Sequence, residues 1–310
     1  MNKSMMLIGV FKKGSTNVPQ ALAFSRRGFD VVPINYREII SKYGIDYFYN
    51  LTKYAVEKYK PILILFSKCN GIDSKLVQDL SSKSITWLWN MDPVDTIKQC
   101  PEVIEHAKYS TYSSCTSPTV KKYFEDQGVK NCSFILEGLD YDVYKPVDSS
   151  DEYKADISFI GTRTKERDEY KKFLEEAGYN IRFYGPGYNR EIVDEEFAKI
   201  CASSKFMLSL NTYNNIAGYF SDRPIRYLGC GACVLHLDST NSLNNFFEDK
   251  KEIIYFSDKD DLLNKIASIT EEERIKLIFN GRDRVLRNYT WNNIINQILT
   301  IAFSKQLSIK

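Results

Sequence analysis

The chain has 310 residues, 43% of them hydrophobic and 26% charged, with a formal net charge of +2. That length favours two cores over one, and the charge balance counts against a dedicated binder of nucleic-acid backbone or of an anionic membrane. The longest apolar run, residues 61–66, is far too short to span a bilayer, and the N-terminal MNKSMMLIGVFKKG does not follow a signal-peptide plan. Seven scattered cysteines, an odd number, point to reduced thiols in a cytoplasm.

In chain order, residues 5–10 read as a strand, FKKGSTN as a glycine-containing loop, 18–27 as a helix ending at Gly28, and 29–34 as a second strand. Residues 46–60 have Tyr and Leu at helical spacing and precede the fully apolar strand 61–66. Helix 74–82, strand 85–89, helix 94–108, strand 109–113, helix 117–127 and strand 133–136 follow. Strands alternating with helices of this length predict βαβ units and a parallel sheet.

The pattern breaks at 144–153, YKPVDSSDEY, which reads as a linker. Alternation then restarts: strand 156–160, helix 165–177, strand 180–184, helix 190–202, strand 205–210, helix 224–230, and strands 232–237 and 252–256. Helices 260–269, 270–288 and 291–305 close the chain, and Thr270 to Glu273 spells a capping box. The expectation is two domains, one over 1–146 and one over 147–310. The last helix is expected to pack back towards the first domain. Two such domains would place a cleft between the C-terminal edges of their sheets, where open α/β sheets bind ligands. That plan fits a glycosyltransferase, a sugar-nucleotide epimerase, a periplasmic-type binding protein or a two-domain dehydrogenase, and fold alone does not choose.

Three constellations carry chemistry. In FIGTRTKERDEY, a strand, Gly161 and Thr162 lead into Arg163, Lys165 and Arg167 at the mouth of a helix. Helix-end N–H groups and guanidinium forks there suit a diphosphate, and the same residues also suit a solvated helix start. In YFSDRPIRYLGCGACVLHL, Pro224 suits a first helical turn, Ser221, Asp222 and Arg223 flank its positive end, and Gly229 and Gly231 permit close backbone approach. Asp92 ends the strand WLWNMDP, where acid–base groups collect, although Asp-Pro is also a plain helix start. No GxGxxG or GxxxxGK[ST] is present, which counts against a dinucleotide dehydrogenase and a P-loop kinase. Cys230 and Cys233 form a CxxC without further ligands at zinc spacing and read as small packing residues; Asp140–Tyr141–Asp142 reads as a turn. With two histidines, His106 and His236, a Ser-His-Asp triad is a poor fit.

Taken in order, DISFIGTRTKER, IRFYGPGY, YFSDRPIRYLGCGACVLH, EIIYFSDKDDLLNKI and NGRDRVLRNYTWNNII resemble the CgeB-like (spore-maturation type) glycosyltransferases, a branch of the GT-B fold. WLWNMDP and the segment from YSTYSSC to DYDVYKP extend the resemblance over about residues 81–300. It implies an α/β chain of the GT-B fold, two Rossmann-like parallel-sheet domains facing each other across a cleft. It also implies sugar transfer from a nucleotide-sugar donor (UDP-, GDP- or another), without a bound metal or tight cofactor, and with retention of configuration as the expectation. Carried onto this sequence, the donor would meet Gly161, Thr162, Arg163, Arg167, Tyr184, Gly185, Ser221, Arg223 and Arg226. Arg167 and Asp92 take the catalytic roles, and Gly14 and Ser15 lie on the acceptor side. Relatives commonly carry a ribose-binding Glu where this chain has Arg226, and Arg accepts no hydrogen bond. The acceptor is open between glycan, protein and modified nucleobase, with the near-neutral charge counting against DNA. A catalytically silent relative that binds a sugar nucleotide or glycan, and a sugar-nucleotide epimerase, are the alternatives. The loop 14–17 and the Tyr-rich helix through 43–59 are the first places to seek acceptor contacts, and they also suit a plain loop and a packed helix.

Overall fold

A computed structural model describes residues 3–307, with side chains through Ser304. The outermost residues of the two expected domains, 1–2 and 308–310, lie outside the described residues. Residues 1–137 with 291–310 form one compact unit and residues 138–290 another. The expected linker, 144–153, thus lies inside the second unit, and the chain passes between units at 137/138 and at 290/291.

The first unit starts with β1 (Ser4–Gly9), α1 (Asn17–Arg26), β2 (Asp30–Asn35), α2 (Tyr36–Tyr43), α3 (Ile45–Tyr59) and β3 (Leu63–Ser67). It continues with α4 (Ser74–Ser81), β4 (Ile85–Asn90), α5 (Val94–Gln99), α6 (Glu102–Tyr109), β5 (Tyr112–Cys115), α7 (Pro118–Asp126) and β6 (Cys132–Phe134). Its six parallel strands lie in the order β2-β1-β3-β4-β5-β6. Helices on both faces leave β1 and β3 fully buried, which is why they read as continuous apolar runs without alternation. Two departures from the sequence reading have local causes. The helix expected over 94–108 is two helices, because Pro101 gives up an N–H and stands between them. Helix α2 was not expected; it buries only Tyr36 fully, and Gly44, at φ 85°, separates it from α3.

The second unit contains β7 (Ala155–Ile160), α8 (Lys165–Glu176), β8 (Ile181–Tyr184), α9 (Asp194–Ser203), β9 (Ser204–Ser209), α10 (Asp222–Gly229), β10 (Val234–Leu237), β11 (Ile254–Phe256), α11 (Lys259–Ser268) and α12 (Glu271–Asn288). Five parallel strands run in the order β11-β10-β9-β7-β8. The capping box of α12 is made: Glu273 N donates to Thr270 Oγ1 at 3.3 Å, and Thr270 N to the Glu273 carboxylate at 2.9 Å. The last helix, α13 (Trp291–Leu307), belongs to the first unit. There Ile294, Ile295 and Ile298 join a core with Met5, Leu7 and Phe24, and Trp291 lies 5.7 Å from Trp89.

Each sheet has its second strand outside its first, so the direction of winding reverses between strands one and three. Ligands of open α/β sheets sit at the carboxyl ends of those two strands. In the second unit they are β7 and β9.

Candidate functional site

At the end of β7 the chain turns through Gly161, and Gly185 after β8 comes against it. A Cβ on Gly185 would stand 2.5 Å from the Gly161 carbonyl oxygen, and Gly185 has φ 115°, so both loops need glycine there. Thr164 caps α8 by accepting from Arg167 N at 3.3 Å, which sets Arg167 in the first turn. The side chain of Arg167 is 1% exposed. Its Nη1 donates to Thr162 O at 2.5 Å and its Nη2 to Leu210 O at 2.9 Å. Arg223, in the first turn of α10, reaches the same place from the other side of the strand ends. Its Nε donates to Ile160 O at 2.8 Å and its Nη1 to Leu210 O at 2.7 Å. Both guanidinium groups lie over the Phe159 ring, at 4.9 and 5.1 Å from its centroid. Tyr227 ties α10 to β7 by accepting from Ile160 N at 2.8 Å.

Two cations thus share one ring and one carbonyl oxygen at the strand ends, and among the described residues no carboxylate is ion-paired with either. Neighbouring groups register the uncompensated charge. Burial, and then the charge of Arg223, bring the Arg167 pKa down to about 10, so it stays charged at neutral pH. Burial and again Arg223 bring His236 down to about 3, leaving it neutral. Buried polar atoms without a hydrogen-bond partner occur on the same strands and loops: Arg167 Nε, Tyr184 Oη, Asn211 Oδ1, Ser221 Oγ and His236 Nε2. Ser221 is the N-cap of α10 and makes no side-chain cap bond, so the first N–H groups of that helix keep their positive end open. Unpaired positive charge, an uncapped helix and unsatisfied polar atoms are the makings of an anion site.

Gly161, Thr162, Arg163, Arg167, Tyr184, Gly185, Ser221 and Arg223 all fall at this edge of one sheet. Their parts differ from a simple row of phosphate contacts. Thr162 gives its carbonyl to Arg167, and Tyr184 O accepts from Gly161 N at 2.9 Å. Arg163, with a side chain 57% exposed, is ion-paired with Asp168 at 2.8 Å. Arg226, one turn further along α10, is bridged to Asp222 at 2.5 Å and lies 5.0 Å from the Tyr144 ring centroid. Asp92, Gly14 and Ser15 belong to the first unit. Asp92 follows β4 and accepts from Lys68 Nζ at 2.6 Å. Gly14 and Ser15 lie in the loop after β1, where Ser15 N donates to Lys12 O at 3.0 Å.

Several residues here were not singled out from sequence. Beside the cation pair, a cavity of about 490 Å³ is lined by Glu166, Tyr170, Asn214, Ser239, Asp258 and Lys259. Asn214 Nδ2 donates to Glu166 at 2.8 Å. In the first unit, at the ends of β1 and β3, buried Asn17 accepts from Val10 N and donates to Ser67 Oγ, both at 2.7 Å. Only the position of such residues just past a strand could have pointed to them. Cys230 and Cys233 are buried free thiols, and Asp140 closes a turn through Asp142 N at 3.2 Å and Tyr144 N at 2.8 Å. Among the described residues, no three His, Cys, Asp or Glu side chains are grouped to hold a metal ion, and no helix is long and apolar enough to cross a membrane.

Two parallel α/β units with a charged switch point define the class: the fold is GT-B. Sucrose-phosphate synthase from Thermosynechococcus elongatus superposes with a TM-score of 0.67 at 14% identity, over 99% of this chain and 100% of that one. Anabaena HepE in complex with UDP-glucose gives 0.64 at 12%, over 99% and 100%. A glycosyltransferase from Rickettsia africae gives 0.67 at 12%, over 98% and 99%. No curated protein matches in sequence. Residues 163–300 match a family model described as glycosyl transferase-like.

Proposed function

We propose that the chain transfers a sugar from a nucleotide-sugar donor to an acceptor, with the donor diphosphate held at the β7 and β9 ends of the second unit. The observation that carries this reading is the pair Arg167 and Arg223, two cations on one ring, neither of them ion-paired with a carboxylate among the described residues. Cleavage of the donor leaves negative charge on the departing phosphate, and fixed positive groups act most strongly where that charge develops. Arg223, part-exposed at the open end of α10, is the direct contact. Arg167, buried, shapes the loop through Thr162 O and adds its charge from behind. Charge supplied in this way makes the reaction metal-independent. The HepE neighbour was solved with UDP-glucose, which makes UDP-sugars the first donors to test. The ordered sequence segments favour the CgeB-like subgroup and a retaining, cytoplasmic enzyme. The first unit, with Asp92, Gly14 and Ser15, takes the acceptor side, and Asp92 is the carboxylate assigned to the acceptor hydroxyl.

The test is donor-dependent glycosyl transfer across UDP-, GDP- and CDP-sugars. Arg223→Gln keeps N–H groups and removes the charge, and kcat should fall by roughly 10²–10³. Arg167→Ala should lose activity and thermal stability together, because it also releases two loop carbonyls; equal turnover in wild type and this variant would remove Arg167 from the mechanism. Arg226 favours a second reading, a silent binder of sugar nucleotides: it stands where relatives carry the ribose-binding Glu and is bound to Asp222. Hydrolysis or transfer of a bound donor sinks that reading.

A further inference from the structure

At the carboxyl edge of the second unit's sheet, Leu210 gives its carbonyl to both arginines, and the chain runs on through Asn211 into Thr212, which lines the cavity of about 490 Å³. That size suits a small ligand. Asn214 ties the wall together. Its Nδ2 donates to Glu166 Oε2 at 2.8 Å and to Asn211 O at 3.1 Å, and its Oδ1 accepts from Asn211 N at 2.8 Å. Its carbonyl accepts from Ser239 Oγ at 2.6 Å. Glu166 is thereby fixed by one oxygen, and among the described residues it has no ion-pair partner. Asn211, 3% exposed, keeps Oδ1 without a hydrogen-bond partner.

The charges of the wall are one-sided. Glu166, Asp258 and Asp260 stand against a single ammonium, that of Lys259, which lies 5.4 and 5.8 Å from the Tyr170 and Phe173 ring centroids. Lys165, the neighbour of Glu166 on α8, is outside the lining, and Asp261 adds a carboxylate by accepting from Ser257 N at 3.0 Å. Arg167 and Arg223, next door, are the groups proposed above to meet the diphosphate. The phenol of Tyr170 registers the field: burial first, then Glu166 and Asp258, push its pKa up to about 12, so it stays a hydroxyl donor. A donor's glycosyl group is bonded directly to its second phosphate. With the diphosphate seated at Arg167 and Arg223, the reading on which this one rests, the sugar ring comes within reach of the cavity. Carboxylate and amide oxygens there accept from sugar hydroxyls, and the phenol donates to them. A carboxylate on the sugar would instead stand among like charges. We propose that the cavity receives the donor's glycosyl group, and that Glu166, with Asp258 and Asp260, selects a neutral, hydroxyl-rich sugar over a uronic acid.

Calorimetric titration of the intact chain with UDP, GDP and a matched pair of donors tests this. The pair is UDP-glucose and UDP-glucuronate, or GDP-mannose and GDP-mannuronate, according to which nucleotide binds more tightly; the members of each pair differ only at C6. The uronate should bind the wild type roughly tenfold more weakly than the neutral donor. Glu166→Gln keeps an oxygen for Asn214 and removes the charge, and should narrow that ratio to about threefold. Asp260→Asn, at an exposed position, should narrow it less, and serves if thermal melting shows Glu166→Gln to be unfolded. Equal binding of the two donors by the wild type, or a ratio that both variants leave unchanged, overturns the proposal, while binding of the nucleotide itself sustains the diphosphate seat. Binding of neither UDP nor GDP overturns the seat and the proposal together.

Discussion

Phe159 carries two guanidinium groups on one ring, and that arrangement has consequences for a neighbour. His236 is fully buried, with Nδ1 2.8 Å from Ser209 Oγ and its pKa brought down to about 3 by burial and Arg223. The unfolded chain, with an ordinary histidine near 6.5, therefore binds one more proton than the folded chain at any pH between those values. Stability rises with pH wherever the unfolded state holds more protons, so this contribution is complete above about pH 6.5 and is lost as pH falls towards 3. The slope is about 1.4 kcal/mol per pH unit, or about 2 kcal/mol between pH 6.5 and 5. Urea unfolding of wild type and His236→Gln across that range should show the wild-type curve falling more steeply by this amount; parallel curves would contradict the assignment. Arg163 and Arg167 show what sequence left open at this site. Both were readable as positive groups at a helix mouth. Four residues apart, they nevertheless part company, Arg163 to the surface with Asp168 and Arg167 into the interior, and only tertiary packing distinguishes them.

Helix α13 completes the core of a unit whose other elements precede it by more than 150 residues. Its apolar spacing at Ile294, Ile295, Ile298 and Ala302 was legible, because one buried face of a helix writes a 3.6-residue period. The boundaries of the strands were less so: β5 begins at Tyr112, three residues later than expected, because Tyr109 completes α6. Helix α2 escaped notice because a helix with one fully buried residue writes almost no pattern. Since Ile298 is 0% exposed, Ile298→Ala should lower the stability of the first unit by about 2–5 kcal/mol, read from its urea midpoint. Little loss there would mean that α13 is not part of that core.

The alternation of strands and helices announced two parallel sheets, since a buried parallel strand must be long in apolar residues and must be followed by a crossover. Strand order was not legible, because it depends on which strands pair across distant sequence. Without it the ends of β7 and β9 could not be recognised as neighbours. The resemblance of five ordered segments supplied what periodicity could not, the expectation of a sugar nucleotide, and the glycosyl transferase-like match over 163–300 falls on the same stretch. Arg223 and Arg167 are proposed to hold a diphosphate at that edge. Calorimetric titration of the chain with UDP, GDP and uridine, in wild type and Arg223→Gln, tests it most directly. A nucleoside diphosphate should bind the wild type at least tenfold more tightly than uridine, and Arg223→Gln should erase that difference. Binding that is indifferent to the diphosphate, or that Arg223→Gln leaves unchanged, would contradict the account.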